Sequence, residues 1–385
     1  MESFDFDLRT RLVFGVESVA RVGSLSKDLG FSRPLLVADH GLQEAGHVDR
    51  VSRFLRDAGC DPVQFHDFDI NPDTEMVDRG TAFAHPHGVD SIVGLGGGSS
   101  LDCAKGINFV LTNGGVMADY RGYGKAAKAM LPMMAIPTTA GTGSEAQSYA
   151  VIADAETKLK MACGDPKAAF RIAVLDPQLT LSQPTAVTAA AGFDAIAHAV
   201  ETAVTTRRNP VSALYSREAF QLLNGHFEAV LRDPDDIMAR AAMHLGAFYA
   251  GVAIEQSMLG AAHACANPLT AQYQITHGVA LAILLPHVVR WNAQASAGLY
   301  RGLFSDASDQ DHDRQVQETN TGDQLAARLV KIGSACGFPS RLRDAGVVQS
   351  DLERLATVAA EQWTGSFNPR PFSTLEALEV FECAY

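Results

Sequence analysis

The sequence predicts two domains of different class. Residues 1–183 read as an α/β N-terminal domain with a Rossmann-like parallel sheet, and residues 184–385 as an all-α C-terminal domain. Three observations carry this. A chain of 385 residues exceeds what one ordinary core organises. Short apolar runs alternate with helical patterns through the first half. Beyond Pro184 the β-branched runs vanish, glycine and proline thin out, and alanine-rich helical segments follow.

Taken in order, Pro34–Asp39 is an apolar run ending in a polar residue, and Val48–Leu55 continues with helical periodicity. Pro62–Phe65, Ser91–Leu95, Met133–Ile136 and Ile172–Leu175 read as further strands. Strands buried on both faces appear as such continuous apolar runs, and their alternation with helices implies a parallel sheet. Asp176-Pro177 and Gln183-Pro184 bracket a linker. The apolar stretch Ala239–Ala266 is interrupted by His244, Glu255, Gln256 and His263, which lipid would accommodate only at high cost, so it reads as soluble core helices. The charged stretch Ser305–Gly322 reads as a solvated loop or helix face.

Hydrophobic residues make up 47% and charged residues 19%, a globular composition. The formal net charge of −13 argues against a nucleic-acid partner, because phosphate neutralisation needs a basic surface. Six cysteines (Cys60, Cys103, Cys163, Cys265, Cys336, Cys383) show no CxxC spacing, which points to reduced thiols in the cytoplasm. The acidic N-terminus lacks the order of a secretory signal, and no membrane partner is expected.

Gly96-Gly97-Gly98-Ser99-Ser100 lies between a strand and the helical pattern Leu101–Leu111. Glycines at such a turn let backbone N–H groups approach a pyrophosphate at a helix N-terminus. Pro137-Thr138-Thr139-Ala140-Gly141-Thr142-Gly143-Ser144-Glu145 follows the next strand and offers hydroxyl donors for phosphate, ribose or carboxamide groups. Asp39 ends an early strand, where a carboxylate can accept from a ribose 2′-hydroxyl and repel a 2′-phosphate.

In the second half, Asp194 and His198 are four residues apart and share a helix face. His263 and His277 lie in two further apolar stretches and can complete a site of one oxygen and three nitrogens. That set suits Fe²⁺ or Zn²⁺, and the missing thiolate argues against a purely structural zinc. Of the remaining histidines, His244 reads as a core residue with one hydrogen bond and His287 as a packing or capping residue. His40, His47, His66, His85, His87, His226 and His312 read as surface residues.

Together these segments resemble the iron-dependent (group III) alcohol dehydrogenase family over nearly the whole chain. The resemblance includes Asn71-Pro72, Gly96–Lys105, Thr138–Glu145, Gly192–His198, His263, His277-Gly278, Leu284–His287 and Asn368-Pro369-Arg370. It implies a dinucleotide-binding domain, a helical metal-binding domain, an active site in the cleft between them, and a homodimer. It implies NAD(P), with NAD favoured over NADP by the Asp39 carboxylate, a divalent ion (Fe²⁺, with Zn²⁺ the alternative), and a small-molecule alcohol or aldehyde substrate. Asp194, His198, His263 and His277 would then be the ligands. Gly97, Gly98, Ser99, Asp102, Thr138, Thr139 and Thr142 would hold the cofactor, with Asp39 and Asn71 near its adenosine end and Lys160 near its reactive end.

Four residues after His263, where many members carry another histidine beside metal and nicotinamide, this chain has Asn267. An amide donates and accepts hydrogen bonds but does not titrate near neutral pH, so Asn267 is a catalytic-site candidate for orienting substrate. Rivals on the same architecture are a hydroxyacid–oxoacid transhydrogenase, a maleylacetate-type reductase and a sugar-phosphate cyclase, each of which calls for basic residues near the metal. A nucleotide-binding regulator would be favoured by a missing ligand, and all four are present.

Overall fold

Continuous apolar runs of the first half become the inner strands of a six-stranded sheet, flanked by two partly exposed edge strands. The strands are β1 (Arg11–Phe14), β2 (Pro34–Val37), β3 (Val63–Phe65), β4 (Ser91–Gly96), β6 (Met133–Pro137) and β9 (Ile172–Leu175), with β1 and β3 at the edges. The computed structural model describes residues 3–304 and 321–385. The stretch 305–320, expected to be a solvated segment, lies outside the described residues. By its internal contacts the chain forms two units: Asp7–Gln183, and Pro184–Tyr385 together with the start of the chain up to Phe6.

In the first unit the six strands follow the order β1-β9-β6-β4-β2-β3, and every pairing is parallel. From β2 the chain moves outward to β3. From β4 it moves the other way to β6, so the order reverses between β2 and β4. Open α/β sheets bind ligands beyond the carboxyl ends of the strands at such a point. One face is covered by α3 (His47–Asp57), whose Val48, Val51 and Leu55 recur at helical spacing and pack with Leu36, Val93 and Ile136. A second core joins Val77 of α4 (Thr74–Ala84) and Phe109 of α5 (Gly98–Asn113) to Ala150 and Ile152.

Those last two residues belong to a small sheet of β5 (Gly122–Tyr123), β8 (Lys160–Gly164) and β7 (Tyr149–Ala153). Neither this sheet nor β1 is apparent from continuous apolar runs. β7 alternates buried Ala150 and Ile152 with the exposed Val151, and edge strand β1 buries only Val13. Half-buried strands alternate instead of running apolar, which hides them from that criterion.

The second unit, among the described residues, consists of helices and short 3-10 turns without a strand. Its helices are α6 (Thr185–Thr202), α7 (Pro210–Arg232), α8 (Ile237–Ser257), α9 (Ala261–Tyr273), α10 (His277–Arg301), α11 (Thr321–Ala335), α12 (Leu352–Ala360) and α13 (Thr374–Ala384). α6 is buried nearly all round because α7, α8 and α10 surround it. α8 is long and apolar enough to cross a membrane, yet most of that stretch is buried, packed along α7 and α6.

Close contact between α6 and α10 depends on Gly278. A Cβ there would lie 2.0 Å from the backbone oxygen of Ala190. Without a side chain, the first turn of α10 reaches the α6 backbone.

Candidate metal centre and nucleotide site

α6 brings Asp194 and His198 to one face, α9 contributes His263 in its first turn, and α10 starts on His277. Oδ1 of Asp194 is 3.3 Å from His198 Nε2, 3.4 Å from His263 Nε2 and 3.9 Å from His277 Nε2. The His198 and His263 rings stack with centroids 4.8 Å apart, and His277 is tilted at 5.2 Å from His263. Its Nδ1 lies 3.3 Å from the Thr270 hydroxyl. The structure therefore gathers all four residues singled out in the sequence.

Two buried atoms at the centre, Asp194 Oδ1 and His263 Nε2, make no hydrogen bond among the described residues. Buried polar atoms seldom stay unsatisfied, and here they converge. One potential ligand atom each from Asp194, His263 and His277 falls within a 4.8 Å span, a grouping that can hold a metal ion. Carboxylate and imidazole donors without thiolate fit a borderline divalent ion.

The electrostatics agree. Burial by itself would raise the Asp194 carboxyl, but the imidazoles of His198, His263 and His277 hold it well below the usual carboxylate range. Burial likewise opposes charge on His263, yet Glu201 and Asp194 outweigh it and push this imidazole up to about 9. The site is an anionic cage that retains positive charge.

Glu201 is the residue that the sequence reading missed. It lies on α6 with 3% of its surface exposed, and its Oε2 meets Nδ1 of His263 in a short contact. Its signal was available: Asp194, His198 and Glu201 stand at i, i+4 and i+7, one face of one helix. Asn267 lies one turn beyond His263 on α9, half-buried, and donates through Nδ2 to Oε1 of Gln362 at 3.1 Å. The sequence reading had not identified Gln362 as its partner.

His244 corrects an expectation. It is fully buried on α8, but neither ring nitrogen has a hydrogen-bond partner among the described residues, and burial drives its pKa down to about 3. It stays neutral because a cation there would be desolvated without compensation. His47, His66, His87 and His226 also depart from the surface reading. They are half-buried and bonded to Ser182, Ala38, Phe83 and Leu222.

In the first unit, the loops after β4 and β6 meet. Thr138 N–H donates to the Gly96 oxygen at 3.1 Å, and Thr139 and Thr142 lie over Gly97 and Gly98. A Cβ on Gly98 would come within 2.6 Å of Thr142. Gly96 has φ +138°, and a Cβ there would strike Ser100 Oγ at 2.4 Å. α5 begins with no side-chain cap, so its first N–H groups face outward as an anion site.

Asp39 caps α2 (His40–Glu44) through Oδ1, which accepts from Leu42 N–H, while Oδ2 accepts from the Ser100 hydroxyl. Asn71 has φ +55° and donates its N–H to Ser99 Oγ at 3.1 Å. Asp39, Asn71, Ser99 and the threonines thus share the carboxyl edge of the sheet.

Asp102 is engaged within the protein. Its carboxylate accepts from Ser144 Oγ at 2.6 Å and Val151 N–H at 3.2 Å, while burial raises its pKa. Lys160 opens β8, paired with Ala153, and its charge reaches Asp102. Lys105, fully buried, donates to the Ser144 oxygen, Ser144 Oγ and the Tyr149 oxygen, which pins the second loop to α5.

Comparison with known proteins resolves the class. Residues 9–177 match the family described as iron-containing alcohol dehydrogenase, and residues 188–385 match the C-terminal domain described for the same family. The chain belongs to the iron-containing alcohol dehydrogenase family. It is 32% identical to the NAD-dependent methanol dehydrogenase of Bacillus methanolicus, covering 97% of each chain. It is 33% identical to the 1,3-propanediol dehydrogenase of Citrobacter freundii, covering 99% of each. A crystal structure of a 1,3-propanediol oxidoreductase superposes with a TM-score of 0.92 at 31% identity, covering 100% of both chains.

Proposed function

We propose that this chain is an NAD-linked, iron-dependent alcohol dehydrogenase that interconverts a small alcohol and its aldehyde or ketone. The observation that carries the reading is the convergence of His198, His263 and His277 on one oxygen of Asp194. Those four side chains would hold the ion. When bound, a divalent ion supplies Lewis-acid polarisation of the substrate oxygen, and nicotinamide supplies the hydride acceptor. Among the four donors only Asp194 is anionic, so a bound divalent ion would keep Lewis acidity towards the substrate oxygen.

The protein's own groups orient the reactants. With Nδ2 of Asn267 committed to Gln362, the remaining Oδ1 can accept a hydrogen bond from substrate. Asn267 cannot titrate near neutral pH, so the substrate proton leaves by water, a ribose hydroxyl or another side chain. At the nucleotide site, N–H groups of Gly98 and Ser99 at the start of α5 would bind the pyrophosphate. Thr138, Thr139 and Thr142 would hold the cofactor from the facing loop. Asp39 retains lone pairs beyond its two hydrogen bonds and would accept from a ribose 2′-hydroxyl, which favours NAD over NADP.

Methanol and 1,3-propanediol, named for the relatives, support a small substrate. A regulator that had lost catalysis would lack the four assembled donors. The six free cysteines support a cytoplasmic protein. A homodimer is the assembly implied by the family resemblance, and sedimentation velocity would test it.

The decisive experiment is metal analysis of anaerobically purified protein, coupled to an alcohol panel with NAD and NADP, for the parent and His277→Ala. The expected result is about one iron per chain and NAD-dependent turnover in the parent. The variant should lose both and still bind NAD. Full turnover by metal-free His277→Ala protein would overturn the reading.

A further inference from the structure

We propose that Glu201 is a positioning residue that fixes at once the tautomer of His263 and the start of the helix carrying it. It thereby presents Nε2 of that imidazole to the metal. The inference rests on the metal-centre reading above.

Glu201 uses both carboxylate oxygens. Oε2 faces Nδ1 of His263, and Oε1 accepts from the N–H of Ala262 at 2.7 Å. An ionised carboxylate only accepts, so Nδ1 must carry a hydrogen. A neutral imidazole with hydrogen on Nδ1 has its lone pair on Nε2, the atom that faces Asp194. Carboxylates that bond the far nitrogen of a ligating histidine set its orientation and strengthen it as a donor.

The same carboxylate solves a local problem of α9. This helix starts after Gly260, which offers no side-chain cap, so its first N–H groups need acceptors from elsewhere. Ala262 N–H finds Glu201, and Ala261 N–H finds Oδ1 of Asn368 at 3.3 Å. Asn368 is itself held by reciprocal amide bonds to Asn292 at 2.9 and 3.0 Å. This gives the Asn368-Pro369-Arg370 motif a role. Asn368 caps α9, while Arg370 donates to the Trp291 oxygen and stacks 4.1 Å above the Trp291 ring. Two caps therefore hold α9, and one of them also touches the imidazole.

That difference makes the assignment testable. Glu201→Gln is nearly isosteric but offers one acceptor where two are needed. If its oxygen caps Ala262, its NH₂ faces Nδ1, the imidazole hydrogen moves to Nε2, and the metal loses its lone pair. If the amide turns over, its NH₂ opposes the Ala262 N–H. Asn368→Ala removes the other cap without touching His263.

Cobalt(II) serves as the probe, with affinity from competition titrations and coordination from its visible absorption. Fitting between pH 7 and 9.5 separates competition by the imidazole proton from ligand strength. Far-UV circular dichroism and a cooperative melting transition of each variant verify that the helical unit is folded.

The parent should bind one cobalt per chain. Glu201→Gln should bind it about 10–100-fold more weakly with an altered spectrum. Asn368→Ala should melt earlier while keeping cobalt affinity within about threefold of the parent. Parental affinity and spectrum in Glu201→Gln would overturn the positioning role and leave the metal reading intact. Equal weakening in Asn368→Ala would also overturn it, because helix placement alone would then explain the effect. A parent that binds no cobalt would overturn both readings.

Discussion

Glu145 closes the threonine-rich loop after β6, and its behaviour with pH can be worked out from the structure. It is 2% exposed, on the turn Ser144–Ala146, and its Oε1 has no hydrogen-bond partner among the described residues. Burial raises its pKa from 4.5 to about 7, against the opposing pull of its own backbone N–H and Lys105. The folded protein therefore holds this proton more tightly than the unfolded chain. The stabilisation is fully present below pH 4.5 and is lost as pH rises through about 7. A pKa change of that size corresponds to roughly 3 kcal/mol, most of which disappears between about pH 5 and 8. Glu145→Gln keeps the shape and removes the titration. Hydrogen exchange of the β4 and β6 amides, measured for parent and variant across this range, reads the local opening free energy. The parent should lose roughly 2–3 kcal/mol relative to the variant. Parallel pH profiles would refute the assignment of a neutral, buried Glu145.

Gly278→Ala places a Cβ where the Ala190 oxygen stands, so α10 must retreat from α6. The variant should lose about 1–3 kcal/mol in denaturant unfolding and bind metal more weakly, and unchanged values would show that the helices do not touch there. Asp39→Gly should narrow the ratio of NAD to NADP catalytic efficiency, and an unchanged ratio would show that this carboxylate does not meet the ribose. The lost α2 cap should cost only a few tenths of a kcal/mol, because glycine is itself tolerated there. Asn267→His should add an ionisation between about pH 6 and 7.5 to the pH–rate profile. An unaltered profile at normal metal content would make position 267 a packing residue.

How much of this was legible in the sequence depends on how each feature writes itself. β2, β4, β6 and β9 are buried on both faces and announce themselves as apolar runs, and the two glycine-bearing turns follow two of them. The small sheet stayed hidden because Val151 breaks the run at the surface. Asp194, His198, His263 and His277 were readable because each is a polar residue that an apolar segment would otherwise reject. Glu201 satisfies the same criterion. Its role stays hidden in the sequence because its partner, Ala262 N–H, lies 61 residues away. His244 shows the limit of the criterion, since an apolar helix buries this neutral imidazole with no hydrogen-bond partner among the described residues.

The two caps of α9 also bear on the order in which the protein is made. The sheet of the first unit closes when β9 pairs with β1, and every strand it needs is synthesised by Leu175. The second unit draws on both ends of the chain. Phe6 stacks on Tyr215 with ring centroids 6.4 Å apart, and Asn368 reaches back to the helix of His263. Domains fold as units during synthesis, the N-terminal one first. A nascent chain can thus carry a finished sheet while the helical unit still awaits the segment that caps α9. A chain stopped short of Asn368 would keep every strand of the sheet but leave Ala261 N–H at the start of α9 without its acceptor.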